Sequence, residues 1–484
     1  AESSGTSGKT ERQMVAVSTG AGGSVMNDPA MEKAREIAGL VEKKGGRAYF
    51  VGGFVRDRLL NIENKDVDVE VHGIEPGELK EILCRLGKPL EYGASFGIMS
   101  MSGLDLDIAM PRKERATGNG HRDFQVEVDP FIGPEKAARR RDFTMNAMME
   151  DVLTGEVLDF FGGREDMEKG IIRHVNPRTF PEDPLRVLRA AQFAARFCFS
   201  IAPETIELCG TMDLSALSRE RVEEELRKAL VKGREPSRFF QSLRQMGQLH
   251  CWFPELEQLI GLEQDPVFHP EGDVWNHTMD VIDRAAAFRG EVSDPYAFML
   301  LCLTHDLGKI ATTQVVKGRI HAYRHETEGA PLVGAFLDRL VSEKKTKSYV
   351  MNMVPLHMKP NVASRSHPAL KSTNRMFDQA SAPEDLIWFA QADAPVRAGT
   401  EAFTGDPEFL RERLDQYRQI MDRPWFTGRD LMEKGLEPGA DFGEFLAYAH
   451  KMRLAGVDRD SALKQTLAYA RKERKSRKQQ KKQK

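Results

Sequence analysis

The sequence predicts an α+β head built on a small mixed sheet at the N-terminal end, followed by an all-α remainder. Three observations carry this. Residues 66–71 (DVDVEV) alternate acid and valine, the period-two signature of a half-buried strand. From Pro181 onward, amphipathic stretches with helical spacing follow one another with Pro or Gly between them. Seven of the twelve histidines then fall between His269 and His367. At 484 residues the chain exceeds one ordinary core and is expected to hold several domains. Its 40% hydrophobic and 30% charged residues exclude a disordered or fibrous chain. No run approaches the roughly 18 apolar residues of a membrane span, so no membrane partner is expected.

In chain order, residues 1–30 read as a Ser/Gly-rich disordered leader without a secretory core. EKAREIAGLVEKK (32–44) is a helix stopped by Gly45-Gly46, AYFVGG a strand entering a glycine turn, and FVRDRLL the next helix. ELKEILCRLG is a helix, and GIMSMSGLDLDIAM a hairpin turning at Ser102-Gly103. Residues 112–125, polar and Gly-containing, read as a mobile loop. DPLRVLRAAQFAARF, APETIELCG, RERVEEELRKALV and SRFFQSLRQMGQL are successive helices. The expected organisation is a head over 31–175, a helical neck and body over 176–265, a histidine-rich domain over 266–400, a helical region over 401–470 and a basic tail over 471–484.

The formal charge of −3 conceals a division. The last fourteen residues hold nine Lys or Arg and one Glu, a local +8, leaving −11 on the other 470. Such an arm suits a phosphate backbone, although a solubilising end has the same composition. Five scattered cysteines (Cys84, Cys198, Cys209, Cys251, Cys302) fit reduced thiols in a cytoplasm rather than a disulfide framework.

Two constellations carry chemistry. In the first, Gly52-Gly53 stands between a strand and a helix, where backbone N–H groups can approach a phosphate, though a tight turn needs the same residues. Asp66 and Asp68, two apart on a strand, project from one face. Two such charges repel unless a cation joins them, and paired Mg²⁺ ions bridging to substrate phosphates are the natural resolution. An exposed acidic strand is the plainer alternative. Asp107, in LDLDIAM, is the candidate third carboxylate, with Asp105 at the same parity.

GGFVRDRLLNIENKDVDVEV resembles the first motif of the class II tRNA nucleotidyltransferase and bacterial poly(A) polymerase family, which has a polymerase-β-like head. The blocks RRRDFTMNAM (139–148), LDFFGGREDMEKGIIR, PEDPLRVLRAAQFAARF and RERVEEELRKAL follow in family order over about 200 residues. The resemblance implies that Asp66 and Asp68 carry catalytic Mg²⁺ and that Gly52, Gly53 and Arg56 hold the triphosphate. Arg140, Arg141, Asp142 and Asn146 would shape the ribose and phosphate pocket, although RRRDFTMNAM also reads as a charged helix start capped by Asp142 or Thr144. Asp183 and Arg186, at helical spacing, point the same way. An acceptor beside a donor matches cytosine and adenine, each wrong base costing ~1–3 kcal/mol; an intrahelical salt bridge worth ~0.3–0.5 kcal/mol is the alternative. The resemblance makes them a protein template, with Arg189 orienting it. Gln192 stands where most relatives carry arginine.

In the second constellation, His305-Asp306 ends an apolar helix (YAFMLLCLTHD) and joins His277, His325, His357 and Asp393. Two ionisable groups at the end of a buried helix invite a metal. The set resembles the HD phosphohydrolase superfamily and implies Mg²⁺ or a divalent transition metal (Mn, Ni, Co or Fe) and hydrolysis of a phosphomonoester or 2′,3′-cyclic phosphate. His269 and His321 are nearby alternates as ligands. Together the resemblances imply CCA addition to tRNA from CTP and ATP, with a second hydrolase activity. CC-adding, A-adding and poly(A)-adding enzymes are the rivals, a relict RNA-binding head is the non-enzymatic one, and a homodimer is left open.

Overall fold

The computed structural model describes residues 28–92, 98–116, 124–265, 272–394 and 405–482. The leader up to residue 27, the middle of the 112–125 segment and His269 lie outside them. Contacts group the chain into two units, residues 1–138 with 148–160, and residues 139–147 with 161–484.

The first unit holds α1 (Pro29–Lys43), β1 (Arg47–Val51), α2 (Gly53–Leu59), β2 (Val67–His72), α3 (Pro76–Leu86), β3 (Pro89–Tyr92), β4 (Ile98–Met101), β5 (Leu106–Ala109), β6 (Arg112–Ala116), β7 (Phe124–Val128), α4 (Pro134–Ala138), β8 (Met149–Asp151) and β9 (Val157–Leu158). Seven strands form one sheet in the order β3-β4-β5-β2-β1-β8-β9. The sheet is mixed, as expected: β2 and β5 run parallel and the other neighbours antiparallel. The valines of β2 explain its place at the centre. Val67, Val69 and Val71 are buried while Asp68 and Glu70 alternate outward.

The segment 112–125 departs from its reading as a mobile loop. Its ends belong to β6 and β7, which pair antiparallel with Arg112 opposite Val128. The missed signal is FQVEV, whose apolar–polar alternation is that of a strand. RRRDFTMNAM starts no α-helix either. It forms a 3-10 turn over Thr144–Asn146, with the Asp142 carboxylate accepting the Phe143 N–H at 2.8 Å.

The second unit is helical. It opens with α5 (Gly163–Glu168), β10 (Ile171–Ile172), α6 (Leu185–Phe197), β11 (Ser200–Ile201), α7 (Pro203–Gly210), α8 (Arg219–Lys232), α9 (Ser237–Gln245), α10 (Leu249–Trp252) and α11 (Pro254–Glu257). The four helices expected after Pro181 are α6 to α9, and α6 packs on both α8 and α9. Then come α12 (Val274–Ala285), α13 (Pro295–Thr304), α14 (Lys309–Thr312), β12 (Thr313–Val316), β13 (Arg319–Ala322), α15 (His325–Glu328), α16 (Ala330–Leu340), α17 (Lys344–Met353), α18 (Met358–Ser366), α19 (Leu370–Gln379) and α20 (Asp385–Asp393). The β12–β13 hairpin interrupts what the sequence presents as continuous helix. Lys317 and Gly318 both have positive φ, at 51° and 76°, the backbone a two-residue hairpin turn requires.

α21 (Pro407–Asp422), α22 (Gly428–Glu433), α23 (Phe442–Leu454) and α24 (Arg459–Lys482) complete the chain. Phe426, Leu431, Phe445, Ala449 and Leu463 make a small core of their own. The basic tail, expected as a separate low-complexity arm from 471, instead continues α24. Asp441, at the N-terminal cap of α23, takes the Arg474 guanidinium at 2.7 and 2.8 Å, and Glu444 on α23 pairs with Arg477 at 2.5 Å, tying this stretch of α24 to α23. Among the described residues no helix is long and apolar enough to cross a membrane.

Candidate functional site

In the first unit the candidate catalytic residues gather at one end of the sheet. Gly52, with φ 66° and ψ −131°, turns the chain from β1 into α2, a conformation closed to side-chain-bearing residues. Phe50 faces Val69, so this turn lies beside the start of β2, where Asp66 and Asp68 stand. Asp107 is directly opposite Asp68 in the parallel β2–β5 register. Asp105 precedes β5, and its carbonyl accepts the Val67 N–H at 3.0 Å. The exposed Asp107 accepts a hydrogen bond from Ser100, its partner on β4. The three carboxylates share the sheet end, but the ligand triads that close to within 4.8 Å among the described residues lie elsewhere, in the histidine–aspartate domain. Arg56 is buried and folds back toward Gly53, where a Cβ would meet its Nη2 at 3.3 Å. Its guanidinium pairs with Asp57 at 2.6 Å.

In the second unit, Asp183 and Arg186 do not share a helix face as expected. Asp183 precedes α6 in extended backbone (φ −125°, ψ 101°), and its carboxylate accepts the Leu185 N–H at 3.1 Å. Proline at 184 excludes helical backbone at the residue before it, and so moves Asp183 out of the helix. The intrahelical salt bridge is absent among the described contacts; each residue has its own anchor. Asp183 accepts from Arg221 on α8 at 2.9 and 3.0 Å. Arg186 donates to the carbonyls of Thr179 (2.8 Å), Phe180 (3.3 Å) and Arg140 (3.2 Å). Arg221 escaped the sequence reading although it stands in the RERVEEELRKAL block.

One turn on, Arg189 donates to Asp142 through Nε and Nη2, both at 2.7 Å. The other Asp142 oxygen takes the Asn146 amide at 2.9 Å and the Phe143 N–H. Arg186 and Arg189 thus clamp the 139–147 segment from successive turns of α6. Burial opposes the charge on Asp142, but Arg189, Asn146 and the Phe143 N–H outweigh it and hold the carboxyl below the usual range. Gln192 is buried, and its Nε2 has no hydrogen-bond partner among the described residues.

The clamp yields a stability prediction. Arg189→Met leaves the buried Asp142 charge unpaired and is expected to destabilise by roughly 2–4 kcal/mol, below the range for a fully buried pair because Arg189 is partly exposed. Urea unfolding measures it, and Arg189→Met combined with Asp142→Asn recovers part of the loss. Because the folded-state pKa is depressed, the stabilisation is complete above the ordinary carboxylate pKa of about 3.9 and lost as pH falls through the lower folded value. Asp142→Asn therefore flattens the stability profile below pH 5.

The second constellation converges fully. His277 enters from the first turn of α12, His305 and Asp306 from the end of α13, His325 from α15, His357 from the turn before α18 and Asp393 from the end of α20. They form two triads, His277–His305–Asp393 and Asp306–His325–His357. Asp306 joins them, with Oδ2 at 3.2 Å from His305 Nε2 and Oδ1 at 3.2 Å from His325 Nε2. The donor set fits divalent metals. His305, His325 and His357 each turn Nδ1 to the carbonyl three residues earlier, of Cys302, Ala322 and Val354, at 2.7–2.8 Å. A carbonyl only accepts, so Nδ1 carries a proton and Nε2 is the nitrogen that faces the cluster. His325 and His357 bring those nitrogens to 3.1 Å, and His277 and His305 to 3.3 Å, separations that call for a shared proton or cation. Burial disfavours charge on His305, yet Asp306 and Asp393 raise its pKa to about 10, whereas burial and His305 push His357 down to about 3. Burial likewise opposes the carboxylates of Asp306 and Asp393, but their imidazole partners hold both well below the usual range. Lys309 Nζ lies 2.7 Å from Asp306, and Asn361 donates to Asp393 at 2.7 Å, two residues the sequence reading passed over. His321 joins neither triad.

Comparison with known proteins follows this geometry. A family model described as "Poly A polymerase head domain" matches residues 48–173, and "Probable RNA and SrmB- binding site of polymerase A" matches residues 198–260. The multifunctional CCA protein of Nitrosococcus oceani is 38% identical over 73% of this chain and 86% of its own length. That of Alkalilimnicola ehrlichii is 35% identical over 80% of this chain and 94% of its own. The chain belongs to the multifunctional CCA protein family. The fold agrees: the Thermotoga maritima CCA-adding enzyme complexed with tRNA has a TM-score of 0.59 at 22% identity, covering 90% of this chain and 95% of that one. A CCA-adding enzyme in an apo form has a TM-score of 0.64 at 22% identity, covering 92% and 96%. The histidine–aspartate cluster stands outside both matched regions.

Proposed function

We propose that the chain adds CCA to tRNA 3′ ends from CTP and ATP, in the cytoplasm and without a nucleic-acid template. The observation that carries this reading is the gathering of Asp66, Asp68 and Asp107 at one sheet end beside the Gly52-Gly53 turn. Asp66 and Asp68 would hold Mg²⁺, which supplies positive charge to the triphosphate and the leaving pyrophosphate. Asp107, with one oxygen engaged by Ser100, keeps the other to accept the proton of the attacking 3′-hydroxyl. Gly52 and Gly53 admit phosphate close to the backbone, and Arg56 stands over that turn. Arg140 and Arg141 would supply positive charge to the ribose and phosphate of the nucleotide. For base choice, three of the five Arg186 N–H donors are engaged by carbonyls, leaving two for a ring-nitrogen acceptor, while Asp183, held by Arg221, accepts from an exocyclic amine. Guanine and uracil present the reverse pattern. Incubation with tRNAs lacking one, two or three 3′ nucleotides and single NTPs tests this. The expected result is CMP twice and then AMP once; addition of C alone, A alone or an A tract overturns it.

A second reading applies to the histidine–aspartate cluster, because Asp306 links two complete triads. The cluster would hold two divalent metals, which lower the pKa of a water and polarise a phosphoryl oxygen. His277, His305 and Asp393 would hold one and Asp306, His325 and His357 the other, making the domain a phosphomonoesterase or cyclic phosphodiesterase.

A further inference from the structure

The cleft above the two triads, about 680 Å³, is lined by more than metal ligands. The β12–β13 hairpin forms one part of its wall with Arg319, His321 and, just after β13, Tyr323, and α18 adds Met358, Val362 and Arg365. Tyr323 is 58% exposed, and its ring lies parallel to that of His321, centroids 4.9 Å apart at 11°. Met358 and Val362 are also exposed, at 40% and 57%. A phosphate group needs cations and metal, which Arg319, Arg365 and the triads provide. It has no use for a paired aromatic surface and two aliphatic side chains held open to water. Those suit a flat, weakly polar ring attached to the phosphate.

We propose that the hairpin is a base-reading arm of this cleft: the His321–Tyr323 stack receives the nucleobase of a nucleoside phosphate whose phosphoryl group lies at the triads. The proposal rests on the hydrolase reading above and adds the residues that select its substrate. The two-residue Lys317-Gly318 turn joins the strands that carry the stack. Stacking accepts any base, so the arm distinguishes nucleoside phosphates from other phosphate esters rather than one base from another.

The test is calorimetric binding of adenosine 2′-monophosphate and of glycerol 2-phosphate to the full-length protein loaded with Mn²⁺. The wild type is expected to prefer the nucleotide, and Tyr323→Ala to lower that preference roughly tenfold, the order of one base–aromatic stack. Tyr323→Phe keeps it. A wild type that binds both esters equally, or a preference unchanged in Tyr323→Ala, overturns the proposal. Phosphate release is followed in the same samples. Base-selective binding without release overturns the hydrolase reading and leaves the arm; release from both esters at equal affinity does the reverse. Binding of neither overturns both.

Discussion

Replacing Asp68 with alanine is expected to end nucleotide addition, with kcat falling roughly a thousandfold or more, while tRNA binding persists. Asp68 is the middle carboxylate of the head, following the Gly52 turn across the sheet and facing Asp107 in register. On the proposed role, its loss would take away a ligand for the cations that neutralise the triphosphate, an effect of several kcal/mol on the transition state, with about 1.4 kcal/mol to each tenfold in rate. Binding to tRNA depends instead on contacts of cations with phosphates and falls little. Asp66→Ala is expected to behave the same way. Incorporation of labelled CTP and ATP, read against a tRNA gel shift, decides the matter. A variant that still extends tRNA at the wild-type rate removes Asp68 from the reaction.

The second large effect lies in the other unit. Asp306→Ala removes a member of the Asp306–His325–His357 triad together with the oxygen that reaches His305 of the other, and metal content is expected to drop from two ions per chain to none. Phosphate-ester hydrolysis should vanish with it while CCA addition continues. His357→Ala touches a single triad and is expected to retain one ion. Atomic absorption on the purified variants separates the two outcomes. Two ions retained by Asp306→Ala would falsify the bridging role, whatever happens to the activity.

Much of this was legible in the residues. The alternation of DVDVEV places a half-buried strand with its acids on one side, and β2 sits at the centre of the sheet. The apolar run ending in His305-Asp306 becomes α13, buried from Tyr296 to Thr304, with both candidate ligands at its end. Where the reading failed, a local pattern was overruled by a neighbour distant in sequence. Spacing alone put Asp183 and Arg186 on one helix face; Pro184 moves the first out of the helix, and Arg221 and three carbonyls hold the pair separately. Composition made a loose arm of residues from 471; Asp441 and Glu444, some thirty residues earlier, draw them into α24. The polar 112–125 segment hid strand residues at both its ends.

The chain's own chemistry thus determined which side chains can bind magnesium, accept a proton or ligate a transition metal, because those capacities belong to functional groups and need no fold. Tertiary structure decided which of them meet. Only packing could bring Asp107 opposite Asp68 and gather His277, His305, Asp306, His325, His357 and Asp393 from separate segments into one cluster. Such contacts depend on register and burial between segments far apart in the chain, and no local spacing encodes them.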